Sequence, residues 1–141
     1  MITKKQLAMG ALVVGLAASM SAQAGDVVVI VNKANANALD KDFLIKAYSG
    51  DVKNWPDGST LQLIDQGEEN PIRAEFDSAF LGKQLSKMKI TWAKNTFTGK
   101  ALPPKVVDGD DAVKKAVAGN KDAIGYIGAS SADSTVKVIL K

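Results

Sequence analysis

Residues 61–80 read LQLIDQGEENPIRAEFDSAF, and this stretch decides the fold class. Its first four residues, Leu61 to Ile64, predict a short strand. Asn70-Pro71 then marks a helix start. Asn can cap the free N–H groups, and Pro is tolerated at the first helical position because its missing N–H would have had no intrahelical partner. Ile72, Phe76, Ala79 and Phe80 follow at the i, i+4, i+7 and i+8 spacing of an amphipathic helix, which Leu81-Gly82 ends. Strand, polar loop and helix in twenty residues predict an α/β unit.

The same alternation continues outward. Upstream, Val27 to Val31 is a β-branched run that predicts a buried strand. Asp40 is placed to cap a helix over 41–48, with Phe43, Leu44, Ala47 and Tyr48 on its buried side. Ser49-Gly50 stops that helix, and Pro56-Asp57-Gly58 makes a tight turn. Downstream, a helix from about 84 to 95 buries Leu85, Met88 and Trp92. Pro103-Pro104 leads into a short strand over 105–107, and Asp110 is expected to cap a helix carrying Val113, Ala116 and Val117, ended by Gly119. Runs at 124–127 and 136–140 predict closing strands. The order implies one α/β domain with a mixed β-sheet flanked by helices. Phe43, Phe76, Phe80, Trp92 and Ile124 are expected in one core, and Trp55 and Tyr126 are read as packing residues.

The N-terminus has a different character. Lys4 and Lys5 precede an apolar run from Leu7 to Ala18, and Ala22-Gln23-Ala24 supplies the small-x-small pattern of a signal-peptidase site. Residues 1–24 are therefore expected to be a signal peptide and 25–141 a single domain, periplasmic or secreted and without a membrane span. The charge argument changes with cleavage. The 18 basic residues less Lys4 and Lys5 leave 16 against 15 acidic, a balance that gives nucleic acid no polycationic tract to bind. Cysteine and histidine are both absent, which excludes disulfides, thiol nucleophiles, Cys/His zinc sites and His-dependent triads. No pair of carboxylates stands out for acid–base work. The composition points to a binding protein, not an enzyme, with no cofactor and no metal.

Segment 47–58, AYSGDVKNWPDG, resembles the "IFxGKIxNWxDG" segment of phosphate-binding proteins of ABC transporters. Ala123-Ile124-Gly125-Tyr126-Ile127 is similar to their "GxIGYV" strand. Arg73-Ala74-Glu75-Phe76 and the run Trp92 to Gly99 resemble the short, single-lobe relatives. The resemblance implies one lobe of a periplasmic-binding-protein-like (type II) fold and a small oxyanion, phosphate above all, as ligand. An ABC permease or an envelope sensor would be the partner, and pairing of two copies would rebuild a two-lobed cleft. The family's phosphate loop "RSDGSGTT" falls at residues 66–73, with Gln66 where the family has Arg, Glu68 where it has Asp and Asn70 where it has Ser.

Three places are candidate ligand contacts. At the Asn70 helix start, free N–H groups could receive an anion, with Arg73 adding a charged fork and Gln66 and Glu68 beside it. The other reading of Arg73 is an exposed i, i+4 pair with Asp77. Thr96, Thr98 and Lys100 frame either an anion nest or a plain turn. Asn32, with Asn35 and Asn37, lines the loop after the first strand, as a ligand contact or an ordinary loop residue. The rival to the oxyanion reading is a ligand-free lobe that docks another envelope protein. The expected mature N-terminus is Gly25: intact-mass analysis of exported protein should show residues 1–24 removed, and retention of Met1 would refute the signal reading.

Overall fold

The computed structural model describes residues 26–141, so the expected signal peptide lies outside the described residues. In chain order the elements are β1 (Val27–Val31), α1 (Lys41–Tyr48), β2 (Gln62–Gln66), α2 (Pro71–Phe76), a π-helical turn (Asp77–Leu81), α3 (Leu85–Thr98), β3 (Lys105–Val107), α4 (Asp110–Ala118), β4 (Ala123–Gly128), a 3-10 turn (Ala129–Ser131) and β5 (Lys137–Leu140). The five strands form one mixed sheet in the order β3-β2-β4-β1-β5. β2 runs parallel to both β3 and β4, and β1 is antiparallel to β4 and β5. The expected fold class, an α/β lobe with a mixed sheet flanked by helices, is what the chain adopts.

The β1 run VVVIV is buried throughout because both of its faces are covered. Val27, Val29 and Val31 face a cluster with Leu44, Tyr48, Phe76, Phe80, Met88, Trp92, Ile124 and Tyr126. Val28 and Ile30 face the other side, with Val113, Val117 and Ile127. Helices α1 to α3 thus cover one face and α4 the other. Gly125 makes the second contact close: a Cβ there would lie 2.7 Å from Val113 Cγ1. Four of the five predicted core residues are buried together, and Phe43 packs on their margin, stacked against Trp55.

Local signals hold at the helix starts. Asp40 accepts from the Phe43 N–H at 2.8 Å, and Asn70 accepts from the Ile72 N–H at 3.2 Å with Pro71 at the first helical position. Several boundaries move, and the moves matter. β2 extends to Gln66, so Asp65 and Gln66 are buried strand residues. α3 continues to Thr98, and α4 starts at Asp110 with Gly109 in the capping place. The expected helix after Asn70 widens into a π turn, where inward positions recur four to five residues apart. Asp77 and Leu81 therefore join Phe76 and Phe80 inside, and Ala79 is turned outward.

Phe76 is the anchor of this face. Its ring stacks on Tyr126 with centroids 3.9 Å apart and meets the Tyr48 ring edge-on at 4.9 Å. Phe76→Ala should cost about 3–5 kcal/mol in urea unfolding. A loss below about 1 kcal/mol would show that this packing does not carry the fold.

Candidate functional site

Because β2 and β3 run parallel to each other and β4 runs parallel to β2, the C-terminal ends of all three strands reach one edge of the sheet. Gln66, the 67–70 loop, Asp110 and Gly128 with Ser131 meet there. Such edges are where open α/β sheets place ligands.

Gln66 is the hub, with no exposure to solvent. Its side-chain amide donates to Asp110 Oδ1 at 3.0 Å and to the Tyr126 carbonyl at 3.1 Å. Its Oε1 accepts from Asn70 Nδ2 at 2.8 Å. Asp110 Oδ2 accepts from the Gly128 N–H at 3.1 Å and the Ser131 hydroxyl at 2.7 Å. Donors from β2, from the end of β4 and from the 3-10 turn thus converge on one carboxylate.

Beneath this edge lies a buried charge cluster. Arg73 Nε sits 3.7 Å from Asp65 Oδ1, and Arg73 Nη1 donates to the Gln66 carbonyl at 3.2 Å. The Tyr126 hydroxyl donates to Asp65, and the Gln66 N–H reaches Asp65 Oδ1 at 2.9 Å and the Tyr126 hydroxyl at 3.2 Å. Tyr48 spans the same layer and donates to the Ile64 carbonyl at 2.8 Å. Burial raises the Asp65 pKa, opposed by the Tyr126 hydrogen bond and the Arg73 charge. Asp77 is only 3 % exposed, and its Oδ2 has no hydrogen-bond partner among the described residues. Burial first, then repulsion from Asp65, lifts its pKa to about 7, with Arg73 pulling the other way. Both tyrosines are held neutral by burial and by these carboxylates.

The candidates named from sequence fall into two groups. Gln66, Asn70 and Arg73 are brought together, but the guanidinium turns inward to Asp65, so the exposed pair with Asp77 does not form. Glu68 leans away and pairs with Lys89 of α3 at 3.0 Å. Asn32 and Thr98 do not join them. Asn32 closes the end of α4, donating to the carbonyls of Val117 at 2.9 Å and Ala118 at 3.0 Å. The Thr98 hydroxyl donates back to the Lys94 carbonyl at 2.9 Å inside α3, and the Gly99 and Lys100 N–H groups are bonded to the Thr96 and Asn95 carbonyls. Asp65, Asp77, Asp110 and Ser131 escaped the sequence reading as site residues. The available signal was the off-pattern carboxylate at 65, directly after an apolar strand.

Among the described residues no group of three or more acidic side chains is placed to hold a metal, and no helix is long and apolar enough to cross a membrane. A family model described as a PBP superfamily domain matches residues 4–139. No curated protein sequence matches. Among solved structures, an ABC-type phosphate transport receptor from Vibrio cholerae superposes with a TM-score of 0.64 at 22% identity, over 81% of this chain and 45% of that one. A protein described as a phosphate ABC transporter substrate-binding protein with bound phosphate, from Clostridium perfringens, gives 0.64 at 21% identity, over 81% and 44%. PstS from Borrelia burgdorferi gives 0.60 at 14% identity, over 82% and 46%. The chain spans less than half the length of each of these structures, and at such identities the likeness is one of fold.

A carboxyl whose pKa is raised on folding keeps in the native state a proton that the unfolded chain has already released. Stability should therefore fall as pH rises from about 4, the ordinary carboxyl range, to about 7. Asp77→Asn should flatten that slope and be more stable than the parent above pH ~8, by an amount on the order of 2–4 kcal/mol. Urea unfolding at a series of pH values checks this, and parallel profiles for the two proteins would refute it.

Proposed function

The chain belongs to the PBP superfamily, and from that premise we propose that it is a binding lobe for a small oxyanion, phosphate first, held where the C-terminal ends of β2, β3 and β4 meet. One observation carries this reading: the Gln66 amide, the Gly128 N–H and the Ser131 hydroxyl converge on the single carboxylate of Asp110. The set is already filled by the Asp110 carboxylate, itself an oxygen-bearing anion, and a bound oxyanion would share these donors with it or take them over. Asp110 also gives the edge a preference. A carboxylate only accepts hydrogen bonds, so it can receive the proton of hydrogen phosphate, whereas sulfate at neutral pH offers none. Asn70 and Ser131 supply the neutral donors on release from Gln66 and Asp110. Arg73 stiffens the edge from below through Gln66 and Asp65.

The similar structures support the same ligand class, since two of them are described as phosphate receptors or binding proteins of ABC transporters. In this reading the lobe works outside the cytoplasm, beside an ABC permease or an envelope sensor, and it binds without turning its ligand over. A second reading has its own observation. The side chains of Gln66, Asn70 and Arg73 are already bonded to one another or to the chain, as in a lobe that docks a protein and holds no ligand.

Thermal unfolding with phosphate and sulfate separates the two. Phosphate in hundredfold excess over its Kd should stabilise the protein by about 2.7 kcal/mol, and sulfate should do markedly less. Ser131→Ala removes one hydrogen bond to a charged oxygen and should weaken phosphate by about 10- to 150-fold in calorimetric titration. Ser131→Asp should abolish binding with the fold intact. A folded protein whose unfolding ignores both anions would leave the docking reading in place.

A further inference from the structure

At the other end of β2, away from Gln66, lies a groove of about 490 Å³ between that strand, α3 and the segment leading to β3. Its floor is apolar: Ala47, Leu61, Leu63 and Trp92 line it. The indole is fixed, because Trp92 Nε1 donates to the Tyr48 carbonyl at 2.8 Å. The wall at Gly50 is equally set. This glycine has φ +83, a Cβ on it would meet Asn95 Nδ2 at 2.5 Å, and that same amide is bonded to the Ser49 carbonyl at 2.9 Å. The floor is thus preformed. On the outer wall Leu102 is 88% exposed, an apolar side chain left to water where covering it would be favourable.

The charged residues that line this groove are of one sign. Lys53, Lys100 and Lys105 line it, and no acidic residue does. Lys100 is paired with Asp51 at 2.5 Å, but among the described residues neither Lys53 nor Lys105 has a carboxylate partner. An apolar trough beneath unpaired ammonium groups complements a molecule with an apolar tail and an anionic head. Its volume lies in the range of small-molecule sites. The neighbouring edge strand β3 has three residues, a ladder too short to template an added peptide strand.

We propose that this groove is a second ligand site, separate from the oxyanion edge, that takes an aliphatic carboxylate: the tail lies over Trp92 and Leu61, and the head is met by Lys53 and Lys105. The proposal stands independently of the oxyanion reading, because an inorganic anion has no use for the apolar floor. Leu102 closes over the tail from the solvent side. The two lysines act as strongly hydrated point charges, so the head group is held by attraction that added salt weakens.

Calorimetric titration of the exported protein with decanoate, below its micellar concentration, tests this directly. Saturable binding is expected at one site, weakened by salt, no more diminished by inorganic phosphate than by chloride at the same ionic strength, and about tenfold weaker for 1-decanol, which has the tail without the charge. The K53A/K105A double variant should lose about tenfold or more. Leu102→Asp, at a position too exposed to disturb the fold, should abolish binding while the unfolding midpoint stays unchanged. No saturable decanoate binding by folded protein would overturn the proposal. So would unchanged affinity in Leu102→Asp, competition by phosphate beyond the effect of chloride, or binding of an alternating Glu-Leu peptide at this face in place of decanoate.

Discussion

The structure depends on keeping one guanidinium and two carboxylates out of water. Arg73 is the chain's single arginine, and it is largely buried beside Asp65, with the buried Asp77 in the same cluster. Burying ions is expensive unless they are paired and hydrogen-bonded. Asp65 meets that condition through the Tyr126 hydroxyl, the Gln66 N–H and Arg73. Asp77 does not, and it responds by holding its proton to near neutrality. Removing Arg73 would leave Asp65 with no cation, so its substitution tests the fold before it tests any ligand. The cluster also ties three elements: Asp65 belongs to β2, Arg73 to α2 and Tyr126 to β4.

That tie positions the edge above it. Arg73 holds the Gln66 carbonyl, Tyr126 holds the Gln66 N–H, and the Gln66 side chain is then directed to Asp110. The two ends of β2 are consequently unlike. Its C-terminal end is polar and converging, and its N-terminal end opens on the apolar floor of Leu61, Leu63 and Trp92. A parallel arrangement of β2, β3 and β4 produces this polarity without further design, because equivalent strand ends are collected on the same side.

Legibility in the sequence followed the range of the interaction. Caps at Asp40 and Asn70 were readable because the bonds they make span two or three residues. The β1 run was readable because a strand covered on both faces loses its alternation. Asp65 and Asp77 were not, since carboxylates are usually exposed and the Asp65 partner Tyr126 is 61 residues distant. Ser131 reaches Asp110 across 21 residues, and nothing local marks that pairing. Asn32 and Thr98 lie apart from the other candidates, and nothing local in the sequence marks that separation. The Thr98 hydroxyl bonds back one turn within its own helix, and Asn32 reaches the last carbonyls of a helix 85 residues on.

The internal pairing also bears on how the proposed oxyanion edge would attract its ligand. Arg73 faces Asp65, so its positive charge is largely cancelled within a few ångströms and contributes little field at the surface. Ionisation of Asp77 adds negative charge beneath the edge as pH rises through about 7. Glu68, the nearest acid on the loop, is offset by Lys89. What remains to favour an anion is directional: the Gly128 N–H and the Ser131 hydroxyl, now held by Asp110, and the Asn70 amide, now held by Gln66, would turn from these partners to a ligand. Recognition of that kind selects by the number and direction of hydrogen bonds, and it is screened by salt far less than attraction to an exposed charge would be.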